Sequence, residues 1–231
     1  MNHTSPPPSN WELWQQWVVA CGTARVIGVF IDWITLLLSF IAIKGANADH
    51  IVFFFVLLFN AISAALGGIA QWFVLRWWIN SAKYWVLASS LASPLGVTVN
   101  NTIKWLDIAT VKQDQGNSID FLKIFIGSPG RISPVIFDTF YGAILGFAQW
   151  LILKGKVPQA GWWVLASSFA TLISGVVVRV TRQTLGRMGW YFGDTYDPLN
   201  IAIAAFGGVV YGAIAGIVLV RLLQKSRELN Q

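Results

Sequence analysis

The sequence predicts an all-α integral membrane protein, a six-transmembrane-helix bundle built from three tandem helix pairs around a pseudo-threefold axis. Three observations predict it. Long apolar runs recur from residue 17 to residue 223, charged residues make up only 11% of the chain, and residues 68–92 match residues 146–170 without a gap. An ordinary soluble domain carries roughly 25% charged residues. With 55% hydrophobic residues and a mean hydropathy of +0.60, this chain lacks the polar surface needed to cover itself in water.

The spans follow in order. Crossing the hydrocarbon core takes a helix of roughly 20 apolar residues, and the stretches near 17–43, 50–75, 84–104, 133–153, 160–181 and 199–223 qualify. None alternates with the period of a barrel strand, and backbone groups in lipid must bond within their own segment, so the runs read as helices. Residues 1–16 read as a disordered tail led by Pro6, Pro7 and Pro8, with no basic start of a secretory signal, and 224–231 read as a polar tail. In the long connector 105–132, Ile119, Leu122, Phe125 and Ile126 share one helical side. Ser118 can cap the start and Gly127 with Pro129 ends the run, so an amphipathic segment near 118–126 is expected in the headgroup plane.

The repeat rests on identical residues in register. Gln71, Trp72, Leu75, Ala82 and Trp85 recur as Gln149, Trp150, Leu153, Ala160 and Trp163, and Val86-Leu87-Ala88-Ser89-Ser90 recurs at 164–168. Fainter copies extend it. Trp17-Val18-Val19-Ala20-Cys21 echoes residues 85–89 at an offset of 68, and Tyr211-Gly212-Ala213-Ile214-Ala215-Gly216 echoes residues 141–146 at an offset of 70. Repeats of about 17–76, 84–154 and 160–223 follow, parallel because two helices return the chain to its starting side. At an offset of 70, Leu219 and Val220 stand where Gln and Trp would fall. Gly68, Gly142, Gly146, Gly212 and Gly216 supply small-x-x-x-small pairs for close helix packing.

Of the 13 Trp, many end apolar runs, and Trp72, Trp85, Trp150 and Trp163 are expected as anchors at the membrane–water boundary. Basic residues divide almost evenly between the two sides. Those on the side of the termini crowd into the short loops 76–83 and 154–160 and the end of the chain, which predicts cytoplasmic termini. The formal charge of +6 is scattered, with no basic stripe interleaved with exposed aromatics, so anionic lipid headgroups and not nucleic acid are the expected contact.

Ionisable groups deep in a span cost free energy and mark candidate sites. Arg25 and Asp32 lie seven residues apart on one face of the first helix, about 10.5 Å along its axis. They read as a structural ion pair, as partners of polar groups such as Gln71 or Gln149 on neighbouring helices, or as a solute or proton site. For Gln71 and Gln149 themselves, helix-to-helix hydrogen bonds are the plainer expectation. No nucleophile, metalloprotease, phosphate-loop or dinucleotide motif is present. Asp194 and Asp197 in GDTYDP read as a solvated loop before a divalent-cation site, and the lone Cys21 excludes an internal disulfide. No cofactor follows: two histidines, neither in a span, argue against haem, and chlorophyll stays open.

The repeated Q-W-x-x-L-[RK]…A-x-x-W-V-L-A-S element resembles one in uncharacterised multi-span bacterial membrane proteins, cyanobacterial ones especially. It covers 68–92 and 146–170 well. The resemblance implies a bacterial inner or thylakoid membrane and brings no activity or catalytic residue. Mitochondrial carriers also have three helix pairs, but their P-x-[DE]-x-x-[RK] signature is missing here. The expected function is non-enzymatic, an accessory or scaffold subunit in a membrane complex. The alternative is a small-solute transporter or channel with its pathway near the repeat axis.

Overall fold

In a computed structural model, residues 9–42, 48–79, 81–108, 134–190 and 197–229 are described, and their regular structure is entirely helical. Six helices run α1 Asn10–Ala42, α2 Ala48–Leu75, α3 Lys83–Ile108, α4 Pro134–Leu153, α5 Trp162–Arg187 and α6 Pro198–Glu228. The amphipathic segment expected near 118–126 lies outside the described residues, as do the first eight residues.

Helices α1, α3, α5 and α6 outrun their expected limits, and polar residues cap the starts of α1 and α6. α1 starts at Asn10, inside the stretch expected to be a disordered tail. Ser9 and Glu12 form a capping box: the Ser9 backbone N–H donates to Glu12 Oε2 at 2.7 Å, and the Glu12 N–H donates to Ser9 Oγ at 3.3 Å. The S-x-x-E signal was there to be read. α6 begins where the Asp197 carboxylate accepts from the Leu199 N–H at 3.0 Å, with Pro198 in the first turn, and runs on through most of the expected polar tail. Asp197 is thus a cap, and Asp194 is outside the described residues.

Each helix packs on its neighbours in sequence, and α6 closes on α1, so the six form a ring. Outside the ring the side chains are apolar. Leu87, Leu91 and Leu95 of α3 stand exposed on consecutive turns, as do Phe147 and Leu151 of α4 and Leu165 and Phe169 of α5. Polar side chains go inward: Gln71, Ser89, Ser93, Gln149, Ser167 and Ser174 are buried. That is the reverse of a water-soluble bundle, and it suits a solvent of hydrocarbon.

Five of the six helices are long and apolar enough to cross a bilayer. α3 is not among them: Ser89, Ser90, Ser93, Pro94 and the pair Asn100-Asn101 interrupt its apolar residues, while Leu87, Leu91 and Leu95 keep one face apolar. Pro94 sits within α3, and the Thr98 hydroxyl bonds the Pro94 carbonyl at 2.9 Å one turn on.

The apolar core is concentrated at one end of the ring, where the start of α1, the end of α6 and the α2–α3 and α4–α5 turns meet. Leu75, Leu153 and Leu219, one from each even helix, are fully buried there beside Trp17, Trp85 and Trp163, one from each odd helix. Small residues on the even helices admit the odd helices. A Cβ on Gly146 would come within 2.8 Å of Ser167 Cβ, and one on Gly68 within 3.0 Å of Val86 Cα. Gly212 faces Val18 Cα at 2.9 Å and Cys21 Cβ at 2.9 Å, the same contacts one odd helix on.

These contacts pair α6 with α4 differently from the Y-G-A-I motif. Gly208 meets the Cys21 carbonyl and Arg25 as Gly142 meets the Ser167 carbonyl and Thr171, and Gly212 matches Gly146. The offset between α4 and α6 is therefore 66, one helical turn short of the 70 read from the Y-G-A-I motif. In that register Leu219 matches Leu153, and Ala215 stands opposite Gln149.

Candidate functional site

The ring encloses a polar cavity of about 420 Å³ lined by all six helices. Beneath its floor of Cys21, Gln71, Ser89 and Gln149 lies a cluster of three tryptophans. Trp17, Trp85 and Trp163 touch one another edge-on or tilted, with ring centroids 5.6–5.9 Å apart, and all three are 0% exposed. Aromatic pairs at this spacing and angle add to the stabilisation from burial.

Trp85 and Trp163 are therefore interior residues, not the boundary anchors expected. Sequence position put them at helix starts but did not say which way they face; their neighbours Tyr84 and Trp162 take the outward direction and are exposed. Trp72 and Trp150 are half-buried at the same end of the ring. Arg76 lies 6.0 Å from the Trp72 ring and Lys154 lies 5.1 Å from the Trp150 ring, while Arg227 stacks at 3.6 Å over Trp78. Cations over indole faces suit a headgroup layer.

Indole N–H groups facing inward need acceptors, and two glutamines supply them. Trp85 Nε1 donates to Gln71 Oε1 at 2.8 Å, and Trp163 Nε1 donates to Gln149 Oε1 at 3.0 Å. The amides reach on to the preceding odd helix, Gln71 Nε2 to Cys21 Sγ at 3.5 Å and Gln149 Nε2 to Ser89 Oγ at 3.1 Å. Each glutamine thus ties the two helices that flank its own. Helix-to-helix bonding is the role the structure gives both residues. The third position differs. Ala215 has no amide, the Trp17 Nε1 is buried without a partner among the described residues, and the Tyr211 hydroxyl takes up the bond to Ser167 at 3.5 Å.

Arg25 lies one turn beyond Cys21 in α1, and Asp32 lies seven residues further toward the far end; both line the cavity. They are not joined in an ion pair with each other, and neither makes one with another described residue. The ion pair of the cavity is one the sequence reading missed, Arg179 Nη1 to Asp138 Oδ2 at 2.8 Å, between α5 and α4. A signal existed: Asp138 falls inside the fourth apolar run, three residues before Tyr141, where an ionisable group is costly. Arg179 near the end of the fifth run passed for a loop cation. Arg182 also lines the far end, along with Asn60.

The cavity thus has a layered wall. Amide, hydroxyl and thiol groups lie at the floor, Arg25 and the Ser93–Tyr141 hydroxyl pair (3.0 Å) come next, and Asp32, Asp138, Arg179 and Arg182 lie toward the far end. Among the described residues no group of three His, Cys, Asp or Glu side chains is arranged to hold a metal ion. Compared with protein-family models, curated proteins and solved structures, the chain matches none.

Proposed function

We propose that the six helices cross a bilayer as three copies of a helix pair, and that the cavity on their common axis binds a small polar solute for transport. The carrying observation is the polar, charge-bearing cavity inside a ring whose outer surface is apolar. Buried charge without apolar compensation is expensive in a membrane interior and is retained where it serves a pathway.

The threefold repeat is supported by equal contacts in equal places: Trp85 with Gln71 and Trp163 with Gln149, and Gly68, Gly146 and Gly212 against successive odd helices. Its register can be tested. With Tyr211→Leu as background, matching Leu145, Ala215→Gln should bond Trp17 Nε1 and raise stability by about 1 kcal/mol. Leu219→Gln should instead bury an unpaired amide in the leucine layer and cost about 2 kcal/mol. Thermal unfolding in detergent reads both. The opposite order would restore the offset of 70.

The transport reading predicts that proteoliposomes holding the intact chain pass polar solutes of the cavity's size faster than protein-free vesicles. Arg25→Leu and Asp32→Asn should each cut that flux by about tenfold, corresponding to 1.4 kcal/mol of lost interaction. Flux equal to that of empty vesicles would remove the proposal. The accessory-subunit role, expected from the lack of a reactive constellation, makes no use of the cavity. It would be favoured if mild extraction of native membranes yielded the chain in a complex while the isolated protein passed no solute. Basic residues stacked on Trp78 and Trp150 at the end bearing both termini support cytoplasmic termini.

A further inference from the structure

The charges along the cavity are unequally matched with depth. Toward the far end Asp32 and Asp138 stand with Arg179 and Arg182, two acids with two bases, and one acid–base couple is closed at 2.8 Å. Near the floor the balance fails. Arg25 is the cation there, one turn above Cys21, and among the described residues the acids that line the cavity, Asp32 and Asp138, stand further toward the far end. Asp32, on the same helix, lies about 10.5 Å further along the axis, and it makes no ion pair with Arg25.

The other lining groups at this depth are polar and uncharged. Gln71 and Gln149 hold their oxygens on the indoles and turn their amide nitrogens along the wall, while Ser89, Ser93, Tyr141 and Tyr211 bring hydroxyls. The Ser89 hydroxyl accepts from Gln149 and keeps its own hydrogen to give. Arg25 has no hydrogen bond to a described residue, so its planar set of donors is available to a ligand.

We propose that the ligand of this cavity is a small organic anion whose charged group seats against Arg25 above the Gln71, Ser89 and Gln149 floor, its uncharged remainder extending toward Asp32. This rests on the cavity being a solute site. The anion gives Arg25 a directly bonded counter-charge, where Asp32 acts on it only across a distance, and the Ser89 hydroxyl hydrogen fills one of its remaining acceptor positions. Among the described residues at the far end, the Arg179–Asp138 couple satisfies its own charges and adds little attraction for a second anionic group.

Three solutes of one shape and different charge test it on the intact wild-type protein in detergent: 4-hydroxybutyrate, 4-hydroxybutyramide and 4-aminobutan-1-ol, with binding followed by calorimetry. The expected result is that the anion binds at least tenfold more tightly than the amide or the amine. Arg25→Gln should lower affinity for the anion about tenfold, the scale of a lost hydrogen bond to a charged group, and Arg25→Lys should recover part of it. Should Arg25→Gln fail to fold, the wild-type comparison of the three solutes still decides. Equal or tighter binding of the amide or amine overturns the anion and leaves the solute site standing. Silence from all three, with Arg25→Lys silent as well, overturns both.

Discussion

Trp163→Ala lowers the stability of the protein by about 4 kcal/mol, the usual scale for removing a fully buried aromatic side chain. The loss has two parts. Trp163 is 0% exposed and touches both Trp17 and Trp85, so its removal opens a cavity where three helices meet. It also strands Gln149, itself 1% exposed, whose oxygen accepts the Trp163 N–H and whose nitrogen bonds Ser89. A buried amide left without its partner adds a penalty of about 1–3 kcal/mol when it cannot turn to another. Thermal unfolding in detergent should show a fall of about 10 °C for a chain of this size. Trp162→Ala, one residue away on the exposed face, should move the midpoint by a small fraction of that. Similar losses from the two substitutions would return Trp163 to the boundary role expected of it.

Gly142→Leu prevents α4 from packing on α5 and destabilises the protein by about 3 kcal/mol or more. A Cβ at Gly142 would stand 2.9 Å from the Ser167 carbonyl oxygen and 2.8 Å from Thr171 Cβ. Backbone and a β-branched carbon cannot withdraw as the tip of a long side chain can, so the helices must separate. Separation pulls Arg179 from Asp138 at the far end of the same pair of helices. Because close approach is a main source of helix association in lipid, little else compensates. Gly161→Ala is the control: it has a helical φ of −58° and open space around it, so its stability should stay within about 0.5 kcal/mol of wild type. Monodispersity on size exclusion after mild heating separates the two variants. A Gly142→Leu protein that survives like the control would show that this interface is looser than the contacts imply.

Several features were legible in the residues because they depend on nearby sequence. Apolar length marks a helix in lipid without reference to any other helix, and the six described helices lie where the six apolar runs are. The repeated Gln-Trp and Trp-Val-Leu-Ala-Ser elements are equally local. Gln71 and Gln149 each make the same contact, an amide one helix over from an indole. α3 shows where an average misleads. Its polar residues, Asn100 and Asn101 above all, lower the mean, although its leucine stripe is plain once the helix is viewed in projection.

The chain alone determined its apolar character, its helices and the offset of 78 between the two matched stretches, since each is written in consecutive residues. Tertiary structure decided which face of Trp85 and Trp163 turns inward, that Arg179 reaches Asp138 rather than solvent, and which turn of α6 meets α1. The reason is plainest in α6. Gly208, Gly212 and Gly216 repeat every fourth residue, so sliding the helix by one turn sets glycine on glycine and leaves the pattern unchanged. Only the shapes across the interface, the Cys21 carbonyl at Gly208 and Val18 at Gly212, distinguish one register from the next.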